Sequence, residues 1–413
     1  MHRAVARSAT TFHTEVLVPP TSIIVEMLIS SPLANKCLSG RATMNARDKG
    51  MTLPTFVVVL AAGEGTRMRS SRPKPLHHLC GRPMVLYVLE AATHDEVRAT
   101  VVVVGHGATW VEKALTQRAR ADVHLTFVEQ YEQLGTGHAV SVALPTIENE
   151  SAGADGDVLI LPGDTPLLRA STVGSLLNQH RQSQAALTVL TAFVKDPSGY
   201  GRIVRDKDGS VARIIEERDA TSAERAITEI NTSIMVVRKS LLGPALRRVD
   251  RQNAQNQYYL TDLIAVLHDT GHVTQAVLLE DPTEAQGVND RLQLAEAESV
   301  LRTRINERWM KRGVTMWDPD HTYIDADVQL APEVSLLPGC VLKGHCVVQR
   351  GAQLGPHANL TDVYVGENAQ VGTVEATSVH VGADATVHSF VVLMPGAKVA
   401  NSEVVAPFEY RTR

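Results

Sequence analysis

Residues 57–79 read VVVLAAGEGTRMRSSRPKPLHHL, an apolar run that ends in two glycines and then turns basic. Residues 56–62 include no polar side chain and are dominated by valine, which predicts a strand buried on both faces, as inside a parallel sheet. Ligands of such sheets bind at the carboxyl ends of the strands. Residues 63–74 are therefore the first place to look for a site.

The segment GEGTRM (63–68) has two glycines of the dinucleotide pattern, but Met68 stands where the third would be, and no P-loop Lys-Ser/Thr follows. By itself a GxG after a strand is equally a tight βα turn. Arg67 and Lys74 lie in the same loop as the amides of residues 63–66, and two cations beside bare amides suit a polyphosphate better than a single carboxylate. The competing reading is a solvated basic loop. Further on, Asp164 in VLILPGDTPLL directly follows another buried run; it is either a turn residue or a carboxylate for Mg²⁺. Asn289 in GVNDRL is either the cap of a helix or an amide oxygen for the same metal.

Outward from the first strand, TVVVVG (100–105), VLILPGD (158–164) and ALTVLTA (186–192) alternate with helix-like stretches up to about residue 290. Strand and helix in alternation predict a doubly wound, Rossmann-like α/β sheet. A long connecting helix follows, with Leu294, Ala297, Leu301, Ile305 and Trp309 on one face and Gly313 at its end. The period then changes. Ile324, Leu330, Leu336, Leu342, Val348, Leu354 and Leu360 recur every six residues, and smaller residues from Val328 to Ala358 stand four places after each of the first six. A strict six is neither helical nor flat-strand spacing and predicts a parallel β-helix of hexapeptide repeats. The phase slips at Val365 and Val371 and resumes at Val381. Cys340 and Cys346 fall in the small-residue slots, which points to packing, not metal binding.

The length of 413 residues fits two or three domains. With Lys+Arg 40 against Asp+Glu 45, the formal charge of −5 argues against a nucleic-acid binder that works by bulk charge. No apolar stretch is long enough to span a bilayer. Four cysteines without a CxxC pair predict free thiols in a reducing, cytoplasmic compartment. Residues 1–50 form an N-terminal extension, read either as a disordered tail or as a start placed too early, since Met44 and Met51 lie just ahead of the first strand.

LAAGEGTRM, RPKPLHHLCGRPM, EQYEQLGTGHAV, LPGDTPLL, GYGRIVRD, IIEERDAT, EINTSI, NQYYLTDLI and GVNDRLQL follow one another in that order. Together they resemble the uridylyltransferase half of the bifunctional N-acetylglucosamine-1-phosphate uridylyltransferase/glucosamine-1-phosphate acetyltransferase family. The hexads resemble the start of that family's left-handed β-helix. The resemblance implies a nucleotidyltransferase domain over 51–290, a linker helix over 291–313 and a shortened β-helix over 314–413. It implies that UTP and N-acetylglucosamine 1-phosphate give UDP-N-acetylglucosamine, a peptidoglycan precursor, in a cytoplasmic homotrimer with neither nucleic acid nor membrane as partner. By the same resemblance Leu60, Ala62, Gly63, Lys74, Gln130, Gly135 and Thr136 would hold UTP. Gly201, Glu216 and Asn231 would hold the sugar phosphate, Asp164 and Asn289 the Mg²⁺, and Arg67 with Lys74 would carry the catalysis.

Two departures stand out. Where the family has RPGT this chain has MPGA (394–397), and few coils follow, so acetyl transfer is expected to be lost; His380 and His388 are expected to be surface residues. NTS replaces the more frequent NTG, placing Ser233 near the sugar site with a slight expected effect. The alternatives are another sugar 1-phosphate, such as glucose 1-phosphate, as substrate, or a non-catalytic scaffold that keeps the architecture.

Overall fold

The computed structural model describes residues 53–120 and 123–412, and the expectation for residues 1–50 lies outside them. The first strand, β1 (Thr55–Ala61), lies at the middle of a nine-stranded sheet. The short β2 (His78–Leu79) and β3 (Arg82–Pro83) pair with each other and lead into α1 (Met84–Ala92). Next come β4 (Val97–Val104), α2 (Ala108–Arg118), β5 (Leu125–Glu129), α3 (Thr136–Ser151), β6 (Asp157–Pro162), α4 (Ala170–Gln182) and β7 (Leu187–Phe193). The short strands β8 (Arg202–Arg205) and β9 (Val211–Ile215) form an antiparallel pair, followed by α5 (Ser222–Arg225) and β10 (Glu229–Arg238). The half closes with α6 (Lys239–Leu246), α7 (Asp262–Asp269) and β11 (Thr274–Leu278).

The main strand order is β11-β7-β10-β6-β1-β4-β5. Strand β10 alone along this path runs antiparallel to its neighbours. Valines 57–59 and 101–104 sit side by side and are fully buried, because α1, α2 and α4 cover one face of the sheet and α3, α6 and α7 the other. The chain passes from β1 outward to β4 and β5 and then returns to β6 on the opposite side of β1. This reversal opens a crevice at the carboxyl ends of β1 and β6.

The linker helix α8 (Arg291–Met310) buries Ala297, Leu301, Ile305 and Trp309 of the face anticipated from spacing, while Leu294 is half-buried. Beyond it, β12 (Thr315–Met316) to β28 (Tyr410–Arg411) stack as three parallel sheets of short strands, one per side of a left-handed β-helix. Every large aliphatic of the hexad series points inward and is buried. The slip of phase has a simple geometry. Five residues instead of six separate Leu360 from Val365, Val371 from Ala376 and Ala376 from Val381, so three corners are one residue short while the interior positions stay in register. His380 and His388 are exposed, as expected.

A single apolar cluster joins the halves, from Leu79, Met84, Leu167 and Val288 through α8 into the coils as far as Val405. Polar contacts reinforce the joint: Asn306 Nδ2 donates to the carbonyls of Pro319 and Thr322 at 2.8 and 2.9 Å, and Ala326 N donates to Cys80 O at 2.9 Å. Among the described residues no helix is long and apolar enough to cross a membrane.

Candidate active site

The loop after β1 is shaped by glycine where space is shortest. Gly65 has φ 63°, and a Cβ there would lie 2.6 Å from the Cβ of Lys74, so the absent side chain is what lets the lysine stem pack against the loop. At Gly63 a Cβ would meet nothing within 4 Å, leaving its backbone open to a ligand. Thr66–Met68 form a 3-10 turn that presents Arg67. The carbonyl of Met68 accepts from Arg291 Nε at 3.2 Å, which moors the loop to the start of α8.

Four predicted residues meet at one point. Lys74 Nζ donates to Asp164 Oδ2 in an ion pair and to Asn289 Oδ1 at 2.8 Å, and the same Asn289 oxygen accepts from Arg67 at 2.9 Å. The backbone brings them together: Gly163 N donates to Leu60 O at 2.8 Å, holding the turn after β6 against β1, and Val288 N donates to Asp164 O at 2.8 Å, holding the segment before α8. Asn289 is not the helix cap. Asp290 takes that role, accepting from Gln293 N at 2.9 Å, which leaves the Asn289 amide turned to the cations.

One carboxylate and one amide oxygen aimed at a common cation form a hard-oxygen pair of the kind Mg²⁺ uses when phosphates and water complete its shell. The described residues contain no cluster of three or more His, Cys, Asp or Glu side chains that could hold a metal by themselves. The pair therefore fits a metal that arrives with a phosphate ligand.

Beside this point lies the loop after β5. Gln130 is buried, with its side-chain nitrogen donating to Gly135 O at 3.1 Å and lying 3.0 Å from His138 Nδ1. Gly135 has φ 112°, and a Cβ there would strike Tyr258 O at 2.5 Å. Thr136 opens α3 and accepts from Leu260 N at 3.0 Å. Leu60 lies near the end of β1 and Ala62 directly follows it.

Gly201, Glu216 and Asn231 form a second group. A Cβ on Gly201 would stand 3.5 Å from Asn231 Cβ and 3.6 Å from Glu216 Oε1, and Asn231 N donates to Gly201 O at 2.8 Å. Burial pushes the Glu216 carboxyl above its usual value, against the pull of a hydrogen bond from Thr261. Ser233 sits in a bulge of β10 with φ 62°, and its amide donates to Asn231 Oδ1 at 2.9 Å. Glycine adopts this left-handed backbone without steric cost, whereas serine does not.

Two participants carried no role in the sequence reading. Tyr200 faces Asp164: burial and then that carboxylate push its phenol up. Tyr258 packs on the Gly135 turn. Both lie inside motifs quoted above, but a tyrosine between glycines or before another tyrosine gives no hint of what it touches.

Residues 57–258 match the MobA-like NTP transferase domain family. Along most of its length the chain is similar to proteins named "Bifunctional protein GlmU". It is 42% identical over 351 residues to that of Brevibacillus brevis, covering 85% of this chain and 74% of the relative. With that of Trichlorobacter lovleyi it shares 44% over 341 residues, 82% of this chain and 72% of the relative. With that of Thermobifida fusca it shares 44% over 329 residues, 80% of this chain and 67% of the relative. The domain match, the left-handed β-helix that follows it and these identities lead to one assignment: the chain belongs to the GlmU family and is a nucleotidyltransferase.

Proposed function

We propose that the crevice transfers the uridylyl group of UTP to N-acetylglucosamine 1-phosphate, releasing pyrophosphate and forming UDP-N-acetylglucosamine. The observation that carries this reading is the convergence of Arg67, Lys74, Asp164 and Asn289 at the ends of β1 and β6.

The reaction joins two anions that repel until cations screen them. The attacking group is already a phosphate oxygen, so no residue needs to act as a base, and the task of the protein is alignment and charge neutralisation. Asp164 and Asn289 would hold Mg²⁺, which when bound neutralises phosphate charge. Lys74 would set its ammonium against the triphosphate, and Arg67 would direct its guanidinium at the departing pyrophosphate. Gln130, with its amide nitrogen engaged by Gly135, presents its carbonyl oxygen to the N3–H of uracil; cytosine has an acceptor there and is refused. Leu60, Ala62, Gly63, Gly135 and Thr136 form the rest of the nucleotide wall. On the other side Glu216 accepts from sugar hydroxyls, while Asn231 and the bare backbone of Gly201 admit the ring.

Acetyl transfer is absent from the described coils in this reading, because Met394, an exposed thioether, stands where the resemblance expects a phosphate-binding arginine. The outward Phe390, Val404, Phe408 and Tyr410 support association of β-helices into a homotrimer. Cys80, Cys340 and Cys346 are free and buried, which fits a reducing cytoplasm.

The test is pyrophosphate release by the full chain with UTP, magnesium and each sugar phosphate. Preference for N-acetylglucosamine 1-phosphate supports the reading, preference for glucose 1-phosphate replaces the substrate, and no turnover with either returns the protein to a scaffold role. A parallel assay with glucosamine 1-phosphate and acetyl-CoA refutes the acetyl-transfer claim if product forms.

A further inference from the structure

Thr261 stands at the start of α7 and is buried, yet its hydroxyl does not cap that helix. Threonine in this position ordinarily accepts from an amide of the first helical turn. Here Oγ1 instead donates to Glu216 Oε1 at 3.0 Å. A Cβ on Gly201 would stand 3.6 Å from that same oxygen, so the bond sets where the carboxylate lies relative to the Gly201 backbone. Three residues upstream the same segment clasps the nucleotide loop. Tyr258 N donates to Leu134 O and Gly137 N to Tyr258 O, both at 2.8 Å, and Leu260 N donates to Thr136 Oγ1 at 3.0 Å. Residues 258–261 thus touch the uridine wall at one end and the sugar carboxylate at the other.

We propose that Thr261 is a positioning residue for uridylyl transfer, its hydroxyl fixing Glu216 for the sugar hydroxyls from a segment whose other end grips the nucleotide loop. The proposal rests on the reading of Glu216 as a sugar ligand. Thr261 acts through that carboxylate. Its helix forgoes a cap so that a buried acceptor is held in one orientation, and a buried carboxylate that loses such a donor is both displaced and harder to ionise. The titratable groups facing Glu216 are Asp219, Tyr259 and Asp262, the last pushed up to about 6 by burial together with Asp250, Glu216 and Asp219. No cation among them compensates, which leaves the Thr261 hydroxyl as the influence pulling the Glu216 carboxyl down.

Steady-state pyrophosphate release by full-chain Thr261→Val, Thr261→Ser and Glu216→Gln proteins tests this. Thr261→Val is expected to raise the KM for N-acetylglucosamine 1-phosphate about tenfold, the worth of one buried hydrogen bond to a charged group. It should leave the KM for UTP within about twofold and move the acid limb of kcat/KM to higher pH. Thr261→Ser, which keeps the hydroxyl, should match the parent on all three measures. The proposal is overturned if Thr261→Val changes neither the sugar-phosphate KM nor the acid limb, or if Thr261→Ser is as impaired as Thr261→Val. If Glu216→Gln raises that KM while Thr261→Val does not, the sugar site stands and the positioning role fails. If Glu216→Gln leaves the KM unchanged, the sugar-site reading fails and takes this inference with it. Should Thr261→Val not fold, Thr261→Ala supplies the same comparison.

Discussion

Lys74 Nζ lies 2.8 Å from the side-chain oxygen of Asn289, 215 positions further along the chain, and the same ammonium pairs with Asp164. The ammonium thus occupies the two oxygens proposed for the metal, and magnesium held there would share them with the lysine or take its place. Lys74→Ala is therefore expected to lower kcat by about 10²–10³-fold through lost transition-state stabilisation. It should do so without raising the magnesium concentration for half-maximal rate. Asn289→Ala should do the opposite, raising that concentration about tenfold. A magnesium titration of both variants decides; a normal rate in Lys74→Ala would contradict the assignment.

Gly135→Ala should disable nucleotide binding. The new methyl would meet a carbonyl at 2.5 Å in a backbone with φ 112°, and backbone cannot swing aside as a side chain can. The KM for UTP should rise by about tenfold or more, at a cost of roughly 1–3 kcal/mol for the forced backbone shift. UTP binding by calorimetry provides the check.

Ser233→Gly should stabilise. A left-handed conformation costs a non-glycine residue about 1–2 kcal/mol, part of which is recovered because glycine loses about 0.5–1 kcal/mol more entropy on folding. A net gain of up to about 1 kcal/mol in urea unfolding is expected, with little change in the sugar-phosphate KM because the bond from residue 233 to Asn231 comes from the backbone. A loss of stability would refute the account.

Asp157 provides a pH-dependent term. It is fully buried at the start of β6, with Arg181 Nε donating at 2.8 Å and His180 Nε2 and Arg238 each 3.4 Å away. Burial would raise its carboxyl, but these neighbours outweigh it and hold the group below the ordinary range. A depressed folded value contributes stability that is present above the unfolded carboxylate value, about 3.9, and is lost as pH falls through the folded one. Asp157→Asn should cost about 3–5 kcal/mol at neutral pH by removing the buried carboxylate that Arg181 and Arg238 share, and its stability should fall less steeply on acidification. Urea titrations from neutral pH to about pH 3 would show this.

Much of this was readable in the sequence for physical reasons. A valine run buried on both faces has few alternatives, and a period of six announces coils because each interior side chain must be apolar. Arg67, Lys74 and Asp164 were legible as charges at strand ends. Asn289 was ambiguous because cap and ligand use the same amide oxygen; only the neighbour Asp290, a better cap placed one residue later, resolves it. Thr261 was silent, since a threonine ahead of a helix looks like an ordinary cap until its hydroxyl is seen pointing elsewhere. The strain at Ser233 is a backbone property that the residue type conceals.

The unbroken apolar column from Leu79 through Trp309 to Val405 has a thermal consequence. Heat that loosens the first coils uncovers Leu301, Ile305 and Trp309, and with them the mooring of Met68 by Arg291. The crevice and the coils nearest to it are therefore expected to melt together, the loop after β1 drawing its firmness from the stack of coils.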